Sequence, residues 1–126
     1  MHILLVEPDY VLAKFYKHAL ERVGHSVTHV VTAQSAVSAA DANMPDIVVL
    51  EMQLAGHSGA AFLYEFRTYS DWLSIPVIIH TLIPPIKMKV FEKSLEELGI
   101  AACLYKPQTS LRKLVDSVEA QVSLTM

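Results

Sequence analysis

A chain of 126 residues, 52% of them hydrophobic, can bury one domain-sized core without disulfides, and its single cysteine, Cys103, has no partner within the chain. The formal net charge of -3, with 18% charged residues and no run of Lys or Arg, lacks the basic footprint that nucleic-acid backbones require. No apolar run approaches the ~20 residues of a membrane span and the N-terminus has no signal-type segment, so a cytoplasmic chain is expected, with one domain over residues 1–126 and no output domain.

Taken in order, short Val/Ile/Leu-rich runs alternate with stretches of helical period. The first strand is expected at His2–Val6. A helix follows with Leu12, Phe15, Ala19, Leu20 and Val23 on one face, stopping at Gly24, a residue suited to the left-handed turn past a helix end. A second strand at Ser26–Val30 leads to an Ala-rich helix from Gln34 to Ala42, which Pro45 closes. The third strand is Ile47–Leu50, and its helix begins after Gly59 with Ala61, Phe62, Phe66 and Tyr69. The fourth strand is Val77–His80, followed by a helix over Ile86–Leu98 that ends at Gly99. The fifth strand, Ala101–Tyr105, precedes a helix capped by Ser110 and carrying Leu111, Leu114, Val115, Val118 and Val122. Regular alternation of this kind predicts right-handed crossovers and a doubly wound, five-stranded parallel sheet covered by five helices, a flavodoxin-like α/β fold. Such sheets carry their functional loops at the carboxyl ends of the strands.

Those ends hold Glu7-Pro8-Asp9, Glu51, Thr81 and Lys106-Pro107, polar residues capping apolar strands. Here the whole chain resembles the response-regulator receiver family. The resemblance rests on Ile3–Asp9, Pro45–Glu51 with Gly59 eight residues on, Ile75–Thr81, and Gly99 followed by Leu104–Pro107. It implies signal transduction of the two-component kind, in which a strand-three aspartate accepts phosphate from a histidine kinase and an acidic pair after strand one helps it hold Mg2+. Thr81 and Lys106 match the family's hydroxyl and lysine. Glu51, however, stands at the acceptor position, its carboxylate carried roughly 1.5 Å further out, and in-line transfer is sensitive to such displacement. Glu7 matches the first acid of the pair, but Pro8 occupies the second and offers no side-chain oxygen, so Mg2+ binding is expected to be weak or absent. Asp9 is a neighbouring substitute whose side chain need not point the same way.

Lys106 can therefore pair directly with Glu51. A single carboxylate reproduces poorly the charge of roughly -1.5 to -2 and the three oxygens of a phosphoryl group, which favours a plain structural contact over imitation of the phosphorylated state. The family's usual strand-five aromatic is replaced by Cys103, Tyr105 lies two places later, and Ile83-Pro84-Pro85 stiffens the connection that follows Thr81. Lys106-Pro107 matches a family site where the peptide bond is often cis.

Other chemistry is discounted. His80 precedes Thr81 and should face the other side of the sheet, so with His57 it makes no zinc site. Gly56-His57-Ser58-Gly59 lacks the spacing of a nucleophile elbow. Cys103 reads as an inert core residue. The expected function is an atypical, stand-alone receiver that is not an enzyme and acts by phosphorylation-independent protein interaction. Its expected surface comprises the fourth helix, fifth strand and fifth helix, with Phe91, Leu95, Cys103 and Tyr105. Its expected partners are a histidine kinase, another receiver, a separate output protein or a second copy, not nucleic acid or membrane. The alternative is a working phosphoacceptor in a phosphorelay.

Overall fold

A computed structural model describes residues 1–54 and 58–125 of the chain. Five strands, β1 (His2–Val6), β2 (Ser26–Val30), β3 (Ile47–Leu50), β4 (Val77–Thr81) and β5 (Ile100–Tyr105), form one parallel sheet in the order β2-β1-β3-β4-β5. The helices are α1 (Tyr10–Arg22), α2 (Ala33–Ala42), α3 (Gly59–Phe66), α4 (Pro85–Met88), α5 (Glu92–Glu97) and α6 (Leu111–Thr125).

β1 and β3 are buried nearly throughout because side chains on both faces meet helices. On one face, Leu4, Val6, Val48, Leu50, Val77 and Ile79 pack against α2 and α3, whose Phe62 and Phe66 are fully buried. On the other, Ile3, Leu5, Val49 and Ile78 pack against α1 and α6 through Leu20, Leu114 and Val118. Each fully buried side chain of this size contributes about 1.5–3 kcal/mol.

Local sequence sets the helix ends. Asp9 caps α1, its carboxylate accepting from Val11 and Leu12 N–H at 2.9 and 3.0 Å. Thr32, Ser58 and Ser110 accept in the same way from Ser35, Ala61 and Lys113 N–H. Gly24 takes φ +98 past α1. At Gly59 the requirement is space, since a Cβ there would lie 2.7 Å from Met52 Cα.

The structure differs from the sequence reading in the phase of α1, in the fourth and third helices and at Cys103. The buried face of α1 is Ala13, Tyr16 and Leu20, while Phe15 is 58% exposed, so the apolar stripe is rotated toward Tyr16, which stacks edge-on against His80. The fourth helix is interrupted: α4 starts at Pro85 with Pro84 as its cap, a 3₁₀ turn covers Lys89–Phe91, and α5 resumes at Glu92. Tyr69 lies beyond α3, packed on Trp72. Cys103 is exposed because β5 lies at the edge of the sheet. His57 and Gly56 lie outside the described residues. Among the described residues no helix is long and apolar enough to cross a membrane.

Candidate functional site

Strand order places the carboxyl ends of β1, β3, β4 and β5 side by side. Val6 registers with Leu50, Leu50 with Ile79, and Thr81 with Tyr105, so Glu7, Glu51, Thr81 and Lys106 converge above one end of the sheet. Glu7 and Glu51 are each 2% exposed and Thr81 is fully buried. The strand order switches between β1 and β3, with β2 added on one side and β3 to β5 on the other, the position where doubly wound sheets place their sites.

Lys106 bridges both acids. Its Nζ lies 2.5 Å from Glu7 Oε1 and 2.8 Å from Glu51 Oε1. Glu51 Oε1 also accepts from Leu82 N–H at 2.9 Å, while Oε2 accepts from Gln53 N–H at 3.0 Å and from the Thr81 hydroxyl. Thr81 Oγ1 accepts in turn from Ile83 N–H at 3.1 Å. Glu7 Oε2 accepts from Asp9 N–H at 3.1 Å. Every carboxylate oxygen of the pair thus has a donor from the protein, and among the described residues no buried side-chain polar atom lacks a partner.

Electrostatics follow from this wiring. Burial alone would raise the Glu51 carboxyl, but hydrogen bonds from Lys106, Thr81 and Gln53 N–H outweigh it and hold it below its ordinary value. Tyr16, behind the site, is pushed up to about 12 by burial and then by the negative charge of Glu7, Asp9 and Glu51. His80 is lowered to about 4, chiefly by burial and then by the Lys106 ammonium, so it is neutral.

Glu7, Glu51, Thr81 and Lys106 come together. Asp9 does not join them, because its carboxylate caps α1. Pro8 sits between Glu7 and the cap. Magnesium takes near-octahedral oxygen coordination; here Pro8 supplies none, Asp9 is turned away, and Glu7 and Glu51 are bridged by an ammonium. Among the described residues, no three His, Cys, Asp or Glu side chains are gathered as a metal set. His80 faces Tyr16 on the α1 side of the sheet. The Lys106–Pro107 bond is trans, since no cis peptide occurs among the described residues. Phe91 and Leu95 are half-buried against the α2 and α3 face, and Tyr105 is half-buried at the end of β5. The sequence reading missed the backbone donors Leu82 and Gln53 and the Glu7–Lys106 contact. Backbone N–H groups carry no residue-type signal, and one lysine between two acids is visible only once the strand order is known.

Known proteins with similar chains agree with this architecture. Residues 3–119 match the family described as the response regulator receiver domain. The transcriptional regulatory protein CseB of Streptomyces avermitilis is 36% identical over 78 residues, covering 62% of this chain and 32% of its own length. KdpE, the KDP operon transcriptional regulatory protein of Escherichia coli, is 30% identical over 78 residues, covering 62% of this chain and 33% of its own. The chain therefore spans about a third of the length of the curated relatives it matches. The signal receiver domain of a signal transduction histidine kinase from Syntrophus aciditrophicus superposes with a TM-score of 0.84 at 28% identity, covering 97% of this chain and 89% of that one. The non-phosphorylated HemR receiver domain from Leptospira biflexa does so with 0.85 at 26%, covering 99% and 96%. The chain belongs to the response regulator receiver family, the signalling modules of two-component systems.

Proposed function

We propose that this chain is an atypical receiver whose pocket is completed from within, so that it signals by binding a protein partner without accepting phosphate. The observation that carries this reading is the Glu51 carboxylate, which receives the Thr81 hydroxyl, the Lys106 ammonium and two backbone N–H groups. An attacking oxygen must be free and in line with the incoming phosphorus. Both oxygens of Glu51 are instead held by donors at the end of β4 and in the segments that follow β3, β4 and β5.

The second component is the lost cation. An intact acidic pocket needs one to offset clustered carboxylates, and here Lys106 takes that place. Residues 7–9 supply a single carboxylate facing the site, too little for magnesium. The partner surface is the face formed by α4, α5, β5 and α6, and the partner is a kinase, a receiver or an output protein of the same signalling class.

Incubation with acetyl phosphate and Mg2+, followed by intact mass, should leave the protein unmodified. A stoichiometric phosphate adduct would instead establish the alternative, a phosphoacceptor in a phosphorelay, for which Thr81 and Lys106 are already in place. Glu51→Asp separates the causes: phosphorylation regained means that the acceptor alone was missing, and continued inertness means that Pro8 has removed the metal site as well.

A further inference from the structure

One carboxylate organises the connection between β4 and α4. Leu82 N–H donates to Glu51 Oε1 at 2.9 Å. Ile83 N–H donates at 3.1 Å to Thr81 Oγ1, whose own hydroxyl donates to Glu51 Oε2. No backbone carbonyl accepts from either N–H among the described residues. The next two residues, Pro84 and Pro85, have no N–H. Every N–H of residues 82–85 is therefore held by Glu51, directly or through Thr81.

That carboxylate is itself fixed. Gln53 N–H at 3.0 Å and Lys106 Nζ at 2.8 Å hold it from the segments that follow β3 and β5, and with its pKa lowered it stays ionised at neutral pH. The connection passes its position on to α4. Proline restricts the residue before it to extended conformations, so Ile83 and Pro84 have little freedom, and Pro84 takes φ -66 and ψ 153 as the cap of α4. A shift at Leu82 is thus carried into the helix. Ile83 and Met88 face the core, while Leu82, Ile86 and Val90, spaced four apart, are 50, 77 and 81% exposed.

We propose that Glu51 is a permanent latch: it holds residues 81–85, and through them α4, in a single position, so that the α4 part of the partner face is set without an incoming signal. The proposal rests on the reading of this face as the partner surface and names how that surface is regulated. A group that arrived and left would make the same grip conditional; a side chain of the protein itself makes it constant. Packing of Ile83 and Met88 alone would not fix the position, because apolar contact is non-directional. Two N–H groups and a hydroxyl aimed at one carboxylate are directional, and they tie the connection to the ends of β3 and β5.

The test compares nitrogen–proton spectra and hydrogen exchange of the intact chain with those of two variants. Glu51→Gln keeps the shape of the side chain and leaves Lys106 paired with Glu7, so the sheet should stay folded. Its Leu82 and Ile83 amides should exchange about tenfold faster, the loss of one hydrogen bond each. The signals of residues 86–90 should shift while those of β1 and α6 stay. Thr81→Val removes the acceptor of Ile83 but not that of Leu82, so the same signals should move in the same direction by less; were Glu51→Gln to unfold, this variant alone decides. In the wild type, relaxation dispersion across residues 82–90 should be flat, as one position requires. Signals of residues 86–90 that stay in place in both variants would overturn the latch, since packing of Ile83 and Met88 would then suffice. Exchange between two positions in the wild type would overturn it as well. A phosphate adduct on the wild type would instead refute the closed pocket, and the two variants would still decide the latch.

Discussion

Replacing Lys106 with Met removes one charge and leaves two carboxylates facing the vacated space. Glu7 Oε1 and Glu51 Oε1 stand 2.5 and 2.8 Å from the same nitrogen, which places them at most about 5 Å apart. At that separation and an effective dielectric of about 20, two negative charges repel by about 3 kcal/mol, a cost that the Lys106 ammonium offsets in the wild type and that the variant bears in full. The folded variant can escape this by protonating one carboxyl. Against the ordinary glutamate value of 4.5, protonation costs about 4 kcal/mol at pH 7.5 and less than about 1 kcal/mol at pH 5. The variant should therefore lose about 3 kcal/mol at pH 7.5 and about 1 kcal/mol at pH 5, measured by urea unfolding followed by circular dichroism. The sign follows from linkage. In the variant one carboxyl has a raised folded pKa, so the folded state binds more protons than the unfolded state and stability falls as pH rises. In the wild type, Glu51 is depressed, so its contribution is present above 4.5 and is lost as pH falls through its folded value. A loss that is equal at both pH values, or larger at pH 5, would refute the arrangement of one ammonium bridging two buried acids.

Other consequences are separable. His80, lowered to about 4, refuses a proton that the unfolded chain accepts below 6.5; its contribution is present above 6.5 and is lost between there and about 4. His80→Phe should flatten that acid limb by up to about 3 kcal/mol in unfolding experiments from pH 7 to pH 4. Asp9→Ala should cost about 1 kcal/mol, read by thermal unfolding, by uncapping α1; if Asp9 instead served a metal, Mg2+ would stabilise the wild type and not the variant. Gly59→Ala should cost about 1–3 kcal/mol, because its Cβ meets backbone at Met52 that cannot turn aside.

Much of the fold is legible in residue order, because buried parallel strands read as continuous apolar runs and each is followed by a 3.6-period stretch. β1 to β4 fall where the pattern places them, within a residue. The phase of α1 is not legible: Phe15 and Tyr16 are both apolar enough to face inward, and the edge-on contact with His80 decides for Tyr16. Nor is the exposure of Cys103, since an apolar strand at an edge looks like one in the middle until the strand order is known. The interruption at Lys89–Phe91 carries no breaker residue of its own; the prolines that announce a disturbance stand earlier, at 84 and 85. The pocket residues could be named from their places at strand ends, but not the direction of Asp9, whose carboxylate answers equally to a helix start and to a cation.

The central claim is that protein donors have taken the place of the cation. The most direct test is a Mg2+ titration of the intact chain through the millimolar range, followed by the amide signals of Glu7, Glu51, Gln53 and Leu82 in nitrogen–proton correlation spectra. The account predicts that these signals stay in place, with no saturable shift. Saturation at ordinary cellular Mg2+, centred on these four amides, would contradict it.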